Sequence, residues 1–128
     1  MPILLIIAVA VGGALGSLVR FAIVQRLNAE FFWGTLCVNV IGAALIGCLF
    51  ALVRNASTPL SAETQGLLIF GFCGGLTTFS AFSLESLKLI QDQKILIALS
   101  HAAVHVLGSF AAVSCTYYLT QKILDWVR

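Results

Sequence analysis

The chain has 128 residues, 60% of them hydrophobic and 9% charged, with a formal net charge of +2 and a mean hydropathy of +1.06. An ordinary soluble domain has roughly a quarter of its residues charged, so this composition describes an integral membrane protein and leaves no room for a soluble catalytic head. The few charges are scattered and form no basic patch, which argues against a nucleic-acid partner.

Apolar runs fall at residues 3–24, 31–53, 66–90 and 95–120. Each is near or above the roughly 20 residues a helix needs to cross about 30 Å of hydrocarbon. Four transmembrane helices in one membrane domain over residues 1–128 are therefore expected. Short connectors lie around Asn28, from Asn55 to Ala62 (with Pro59) and around Gln91 to Gln93. Ala8-Val9-Ala10 resembles a signal-cleavage site, but no Lys or Arg precedes it, and the first run reads as a retained span.

In the first run Ala8, Gly12, Gly16 and Arg20 recur every four residues, with Gly13 widening the stripe. Small residues at this spacing let another backbone come close. Arg20, at the edge of hydrocarbon, must snorkel or find carbonyl or anion partners, either as an anchor or as an electropositive lure. The second run repeats the interval with Thr35, Asn39, Ala43 and Gly47. A buried Asn39 amide, with two donors to satisfy, either bonds to a neighbouring helix or faces a wet path.

The third run contains "FCGGLTTFSAFS", residues 72–83. Gly74-Gly75 is its weakest helical dipeptide and Thr77-Thr78 follows at once, so a helix break is expected near mid-span. Polar backbone freed by a break is tolerated in a membrane only where protein or water encloses it. Freed carbonyls can coordinate a small cation, while amides and hydroxyls can donate to an anion. Past the break, Phe79 and Phe82 share a helical face, as do Ser80 and Ser83. In the fourth run His101, His105 and Ser109 fall four apart on one face.

Other residues narrow the function class. Cys37, Cys48, Cys73 and Cys115 lie within the runs with no CxxC pairing, and they read as small hydrophobes. Glu30, Glu63, Glu85, Asp92 and Asp125 fall in loops or near span ends, which speaks against a proton-coupled drug antiporter with a membrane-embedded carboxylate. A purely structural subunit would share the glycine stripes without needing a broken, hydroxyl-rich span. Neither triad-like spacing nor an HExxH motif suggests an enzyme. Arg54, Lys122 and Arg128 on one side balance Arg20, Arg26, Lys88 and Lys94 on the other. Either local features set the orientation, or both orientations occur and pair as an antiparallel dimer.

Four segments, "GGALGSLVRF", "GTLCVNVIG", "GGLTTFSAFS" and "HVLGS", taken in order over essentially the whole chain, resemble the Fluc (CrcB) fluoride channels of bacteria. The resemblance implies an all-α membrane protein with four transmembrane helices and a broken third helix, assembled as an antiparallel dual-topology homodimer in the bacterial cytoplasmic (inner) membrane. It implies passive export of fluoride through two pores, with membrane lipid around the dimer and a structural Na+ at its centre. It maps the Na+ onto the backbone carbonyls of Gly74 and Thr77. The fluoride pore falls on Asn39, Phe79, Phe82, Ser80, Ser109 and His105. Arg20, Thr35 and Glu85 take vestibule or orienting positions. Ala81 and Val113 depart from the family's pattern at positions often occupied by polar residues.

Overall fold

A computed structural model describes residues 2–55 and 60–127. Pro59 of the second connector and Arg128 of the charge comparison lie outside the described residues. Among the described residues there are helices and no strands. Helix α1 covers Ile3–Leu27 and α2 covers Trp33–Asn55. The third span, Ala62–Gln91, is composite. It begins as α3 (Ala62–Gln65), widens into a π-helical stretch over Gly66–Cys73, tightens again in α4 (Gly74–Leu76) and resumes as α5 (Phe79–Gln91). Helix α6 runs over Ile95–Val127. All four spans are long and apolar enough to cross a bilayer, making this a multi-pass membrane protein.

The expected break falls on Thr77-Thr78 and not on the glycine pair before them. Gly74 has helical angles, φ −63° and ψ −38°, whereas Thr77 (φ −83°, ψ 156°) and Thr78 (φ −152°, ψ 115°) are extended. At Gly75 the requirement is close approach: a Cβ there would lie 3.1 Å from the Cα of Gly13 on α1 and still closer to its carbonyl oxygen. The threonines break the helix because β-branching lowers helix propensity and their hydroxyls can replace backbone partners. Thr78 Oγ1 accepts from the Ala81 N–H at 3.1 Å and so caps α5. The Thr77 hydroxyl donates back to the Cys73 carbonyl at 3.0 Å.

The packing partners change at the break. Ahead of it, α3, the π-helical stretch and α4 lie along α1; after it, α5 lies against α6. The first seam is made of glycine: Gly71 is so close to α1 that an added Cβ would stand 2.8 Å from the Val9 carbonyl oxygen and 2.9 Å from the Gly12 Cα. Gly12 and Gly16, expected as a small-residue stripe, are both buried there. Helix α2 packs along α6, where the Thr116 hydroxyl donates to the Ala44 carbonyl at 2.8 Å. Val38, Ala51, Cys73, Leu76, Leu89 and Ala98 form the small buried core. The outer faces are apolar, with Phe70, Phe79, Leu96 and Phe110 each at least 70% exposed.

Candidate functional site

The polar residues of the last three spans gather at two adjoining points, beginning at the break. The Thr78 N–H donates to Asn39 Oδ1 at 2.7 Å, and Asn39 Nδ2 donates to the Thr78 carbonyl at 3.1 Å. One side-chain amide of α2 thus pairs with both polar groups of a peptide that has left the helix. Because lipid supplies no partners, this pairing lets the extended residues persist inside a span. The other Nδ2 hydrogen reaches His105 Nδ1 on α6 at 3.2 Å. An amide nitrogen can only donate, so the neutral His105 ring accepts at Nδ1 and keeps its proton on Nε2. Of the two roles open to Asn39 from sequence, the geometry displays helix-to-helix bonding, to the third span and to α6.

Beside the break lies a cleft of about 340 Å³. Asn39, Thr77, Phe79, Phe82, His105 and Ser109 line it, so three of the four spans contribute to one concave surface. Phe79 and Phe82 have ring centroids 5.3 Å apart and planes tilted by 54°. Phe82 also lies 4.8 Å from the His105 ring. Phe79 is 77% exposed in the single chain. Ser80 is exposed and sits with its Oγ 3.2 Å from Thr78 Oγ1, outside the cleft lining.

The second gathering point centres on Glu85, which the sequence placed near a span end. It is buried in α5 at 6% exposure, level with the end of α1 and the start of α2, where its partners lie. Its Oε1 accepts from the Thr35 hydroxyl and from Asn28 Nδ2, the latter at 3.2 Å. Asn28, in the connector after α1, also accepts the Gly34 N–H at 2.7 Å through Oδ1 and thereby fixes the start of α2. The other carboxylate oxygen, Oε2, faces His101 Nε2 at 3.6 Å. His101 and His105 touch with ring centroids 4.4 Å apart. Thr35 is fully buried at this contact.

Sequence reasoning left Asn28 and His101 out of the candidate site. His101 carried a signal in its four-residue spacing from His105. Asn28 carried none, since its role depends on a contact 57 residues away. Two further candidates, Arg20 and Gly74, lie apart from the cleft, whereas Thr77 lines it. Arg20 is half-buried on α1 and forms no ion pair among the described residues. Gly74 is exposed and Thr77 half-buried, and none of the hydrogen bonds around the break reaches either carbonyl oxygen.

The model of the family described as CrcB-like protein, Camphor Resistance (CrcB), matches residues 7–117. A protein named Fluoride-specific ion channel FluC from Pseudomonas fluorescens (strain Pf0-1) is 41% identical over 122 residues, covering 91% of this chain and 97% of the relative. Proteins of the same name from Pseudomonas syringae pv. maculicola and Pseudomonas putida (strain W619) are 43% and 45% identical, over 92% and 88% of this chain and 94% and 93% of their own lengths. With the match running from within α1 to within α6, the chain belongs to the CrcB-like family.

Proposed function

We propose that this chain is a fluoride channel, not an enzyme, and that it lowers cytoplasmic fluoride by passive export across the bacterial inner membrane. The observation that carries the reading is the cleft in which Asn39, Phe79, Phe82, His105 and Ser109 converge beside a broken span. Names of relatives that cover nearly the whole chain support the same ion. Fluoride is strongly hydrated, so a path through the bilayer must replace water with donors. The Ser109 and Ser80 hydroxyls supply them, and the electropositive edges of Phe79 and Phe82 add attraction without a formal charge. Asn39 holds Thr78 and His105 in register along this path. The cleft has no Lys or Arg to trap the ion, as conduction requires binding weak enough for release.

The working unit in this reading is an antiparallel homodimer with two pores. The cleft is open on one side and Phe79 projects from the chain, so a second copy would enclose what one chain leaves exposed. A central Na+ in this reading would sit on the carbonyl oxygens of Gly74 and Thr77, which flank the break on residues that are exposed and half-buried in the single chain. Bound there, the ion would supply a fixed positive charge in a low-dielectric interior. Thr35 and Glu85 take orienting positions beside His101 and His105, and Arg20 serves as an anchor on α1.

Purified protein in liposomes tests the proposal: it should release trapped fluoride to an electrode while holding chloride back. Fluoride that stays trapped would end the channel reading. For the dimer, one loop cysteine in a cysteine-free background should react with an impermeant label from both sides of the membrane, and one-sided labelling would contradict dual topology.

A further inference from the structure

Three buried atoms face one another with no hydrogen-bond partner among the described residues: Glu85 Oε2, His101 Nε2 and His105 Nε2. Their residues are only 6%, 6% and 5% exposed. One potential ligand atom from each residue lies within 4.8 Å of the others, and Glu85 Oε2 stands 3.6 Å from His101 Nε2. Native proteins rarely leave even one buried polar atom unpaired, and three together call for an occupant.

We propose that Glu85, His101 and His105 form a binding site for a divalent transition-metal ion of the Zn2+ type, one per chain, next to the cleft. Two imidazoles and one carboxylate are a donor set for such ions, whereas alkali ions prefer all-oxygen surroundings. His101 and His105 are four apart on α6 and so present both rings on one helical face, and α5 adds the third ligand, a pattern familiar from zinc sites. Metal–ligand bonds of about 2.0–2.2 Å put tetrahedral ligands roughly 3.4 Å apart. The 3.6 Å pair already matches, and modest side-chain rotation closes the wider separations.

The surroundings are prepared for the same ion. The Thr35 hydroxyl and the Asn28 amide both hold Glu85 Oε1, which aims Oε2 at the histidines. Outer partners that orient a ligand in this way are a regular part of metal sites. Phe31, Phe32 and Phe82 surround His101 with ring centroids 6.0, 5.7 and 5.5 Å away, keeping the site dry. Three protein ligands leave a fourth position for water or a small anion. Because His105 also lines the cleft, an ion that enters the cleft reaches the edge of the site.

Binding has one cost. With the metal on Nε2, the ring proton of His105 moves to Nδ1, where it meets the Asn39 amide, and the Asn39–His105 hydrogen bond is given up. One neutral hydrogen bond is small beside metal–imidazole coordination. Capture of the ion therefore frees Asn39 from α6.

Titration of the detergent-solubilised full chain with Zn2+ in fluoride-free buffer, against a chromophoric zinc indicator, tests the site independently of conduction. One Zn2+ per chain is expected. Loss of a direct ligand in His101→Ala or Glu85→Gln should weaken it more than the roughly 10–100-fold that loss of an outer partner costs, and Thr35→Val should fall within that range. Co2+ should give the visible absorption of a tetrahedral site, and Zn2+ should bleach it. The absence of that spectrum in the unaltered chain overturns the proposal, as does unchanged Zn2+ affinity in either ligand variant. Should His101→Ala elute as aggregate, His101→Gln, which keeps the volume, takes its place. Binding that persists in the ligand variants and disappears in Cys115→Ser would assign the ion to the exposed cysteine and equally overturn it.

Discussion

The two ends of the third span join their neighbours by opposite means. From Ala62 to Leu76 the span lies on α1 through a seam of glycine, backbone against backbone, with no side-chain hydrogen bond across it among the described residues. From Phe79 onward it lies on α6, and this end of the bundle is held by a threonine, two asparagines, a glutamate and two histidines drawn from α1's end, α2, α5 and α6. Lipid tails are as apolar as leucine, so helices in a bilayer gain by close packing or by hydrogen bonding. The glycine seam takes the first route, with backbone set directly on backbone at Gly12, Gly16, Gly71 and Gly75. The polar end takes the second, and the broken peptide at Thr77-Thr78 marks where the chain passes from one to the other. A site grows on this side because the break creates polar groups that only side chains can satisfy.

If that contrast is right, the largest effect comes from filling the dry seam. Gly12→Val places side-chain atoms on the Leu67 carbonyl and the Phe72 N–H. It should cost about 3 kcal/mol or more, seen as loss of folded protein on size exclusion in detergent. Ordinary yield and stability would show that the two backbones can separate without harm.

Next in size is Asn39→Leu, which orphans both polar groups of Thr78 and frees His105. At about 1–3 kcal/mol for a buried unpaired group, a loss of roughly 2–4 kcal/mol is expected in chemical unfolding, together with loss of fluoride flux. Asn39→Asp sharpens the test. A carboxylate still accepts from the Thr78 N–H but cannot donate to its carbonyl, and it places negative charge in an anion path, so flux should fall further than stability does.

A smaller effect, about 1–2 kcal/mol, is expected for Thr35→Val, which removes the buried hydroxyl from Glu85 Oε1 and leaves the Asn28 contact to hold the carboxylate. Stability unchanged on unfolding would mean that Glu85 is braced elsewhere. The smallest change in the stability of the single chain is expected for Phe79→Ile, within about 0.5 kcal/mol, because the ring is 77% exposed there. Its fluoride flux should nevertheless drop well below that of the unaltered protein, and wild-type flux would remove Phe79 from the path.

Much of the site was legible before any coordinates. The stripe of Thr35 and Asn39, the stripe of His101, His105 and Ser109, and the pairing of Phe79 with Phe82 all follow from the helical repeat, and the cleft brings most of these residues together. The expected break falls on Thr77-Thr78, the threonines that follow the glycine pair, while Gly75 stays helical where it meets the Gly13 backbone of α1. Glu85, expected near a span end, is held there by Asn28 at the end of α1 and Thr35 at the start of α2, and its burial was not legible because both partners are distant in sequence.

The sequence by itself determined the four spans, the membrane class and the helical faces, because hydropathy over some 20 residues and a period of 3.6 are local properties. Only the tertiary structure decided that Asn39 closes the break in the third span, and that Glu85, His101 and His105 meet. Each of those outcomes depends on which groups from distant spans are near enough to pair, and in a membrane a polar group takes its position from the partner that satisfies it.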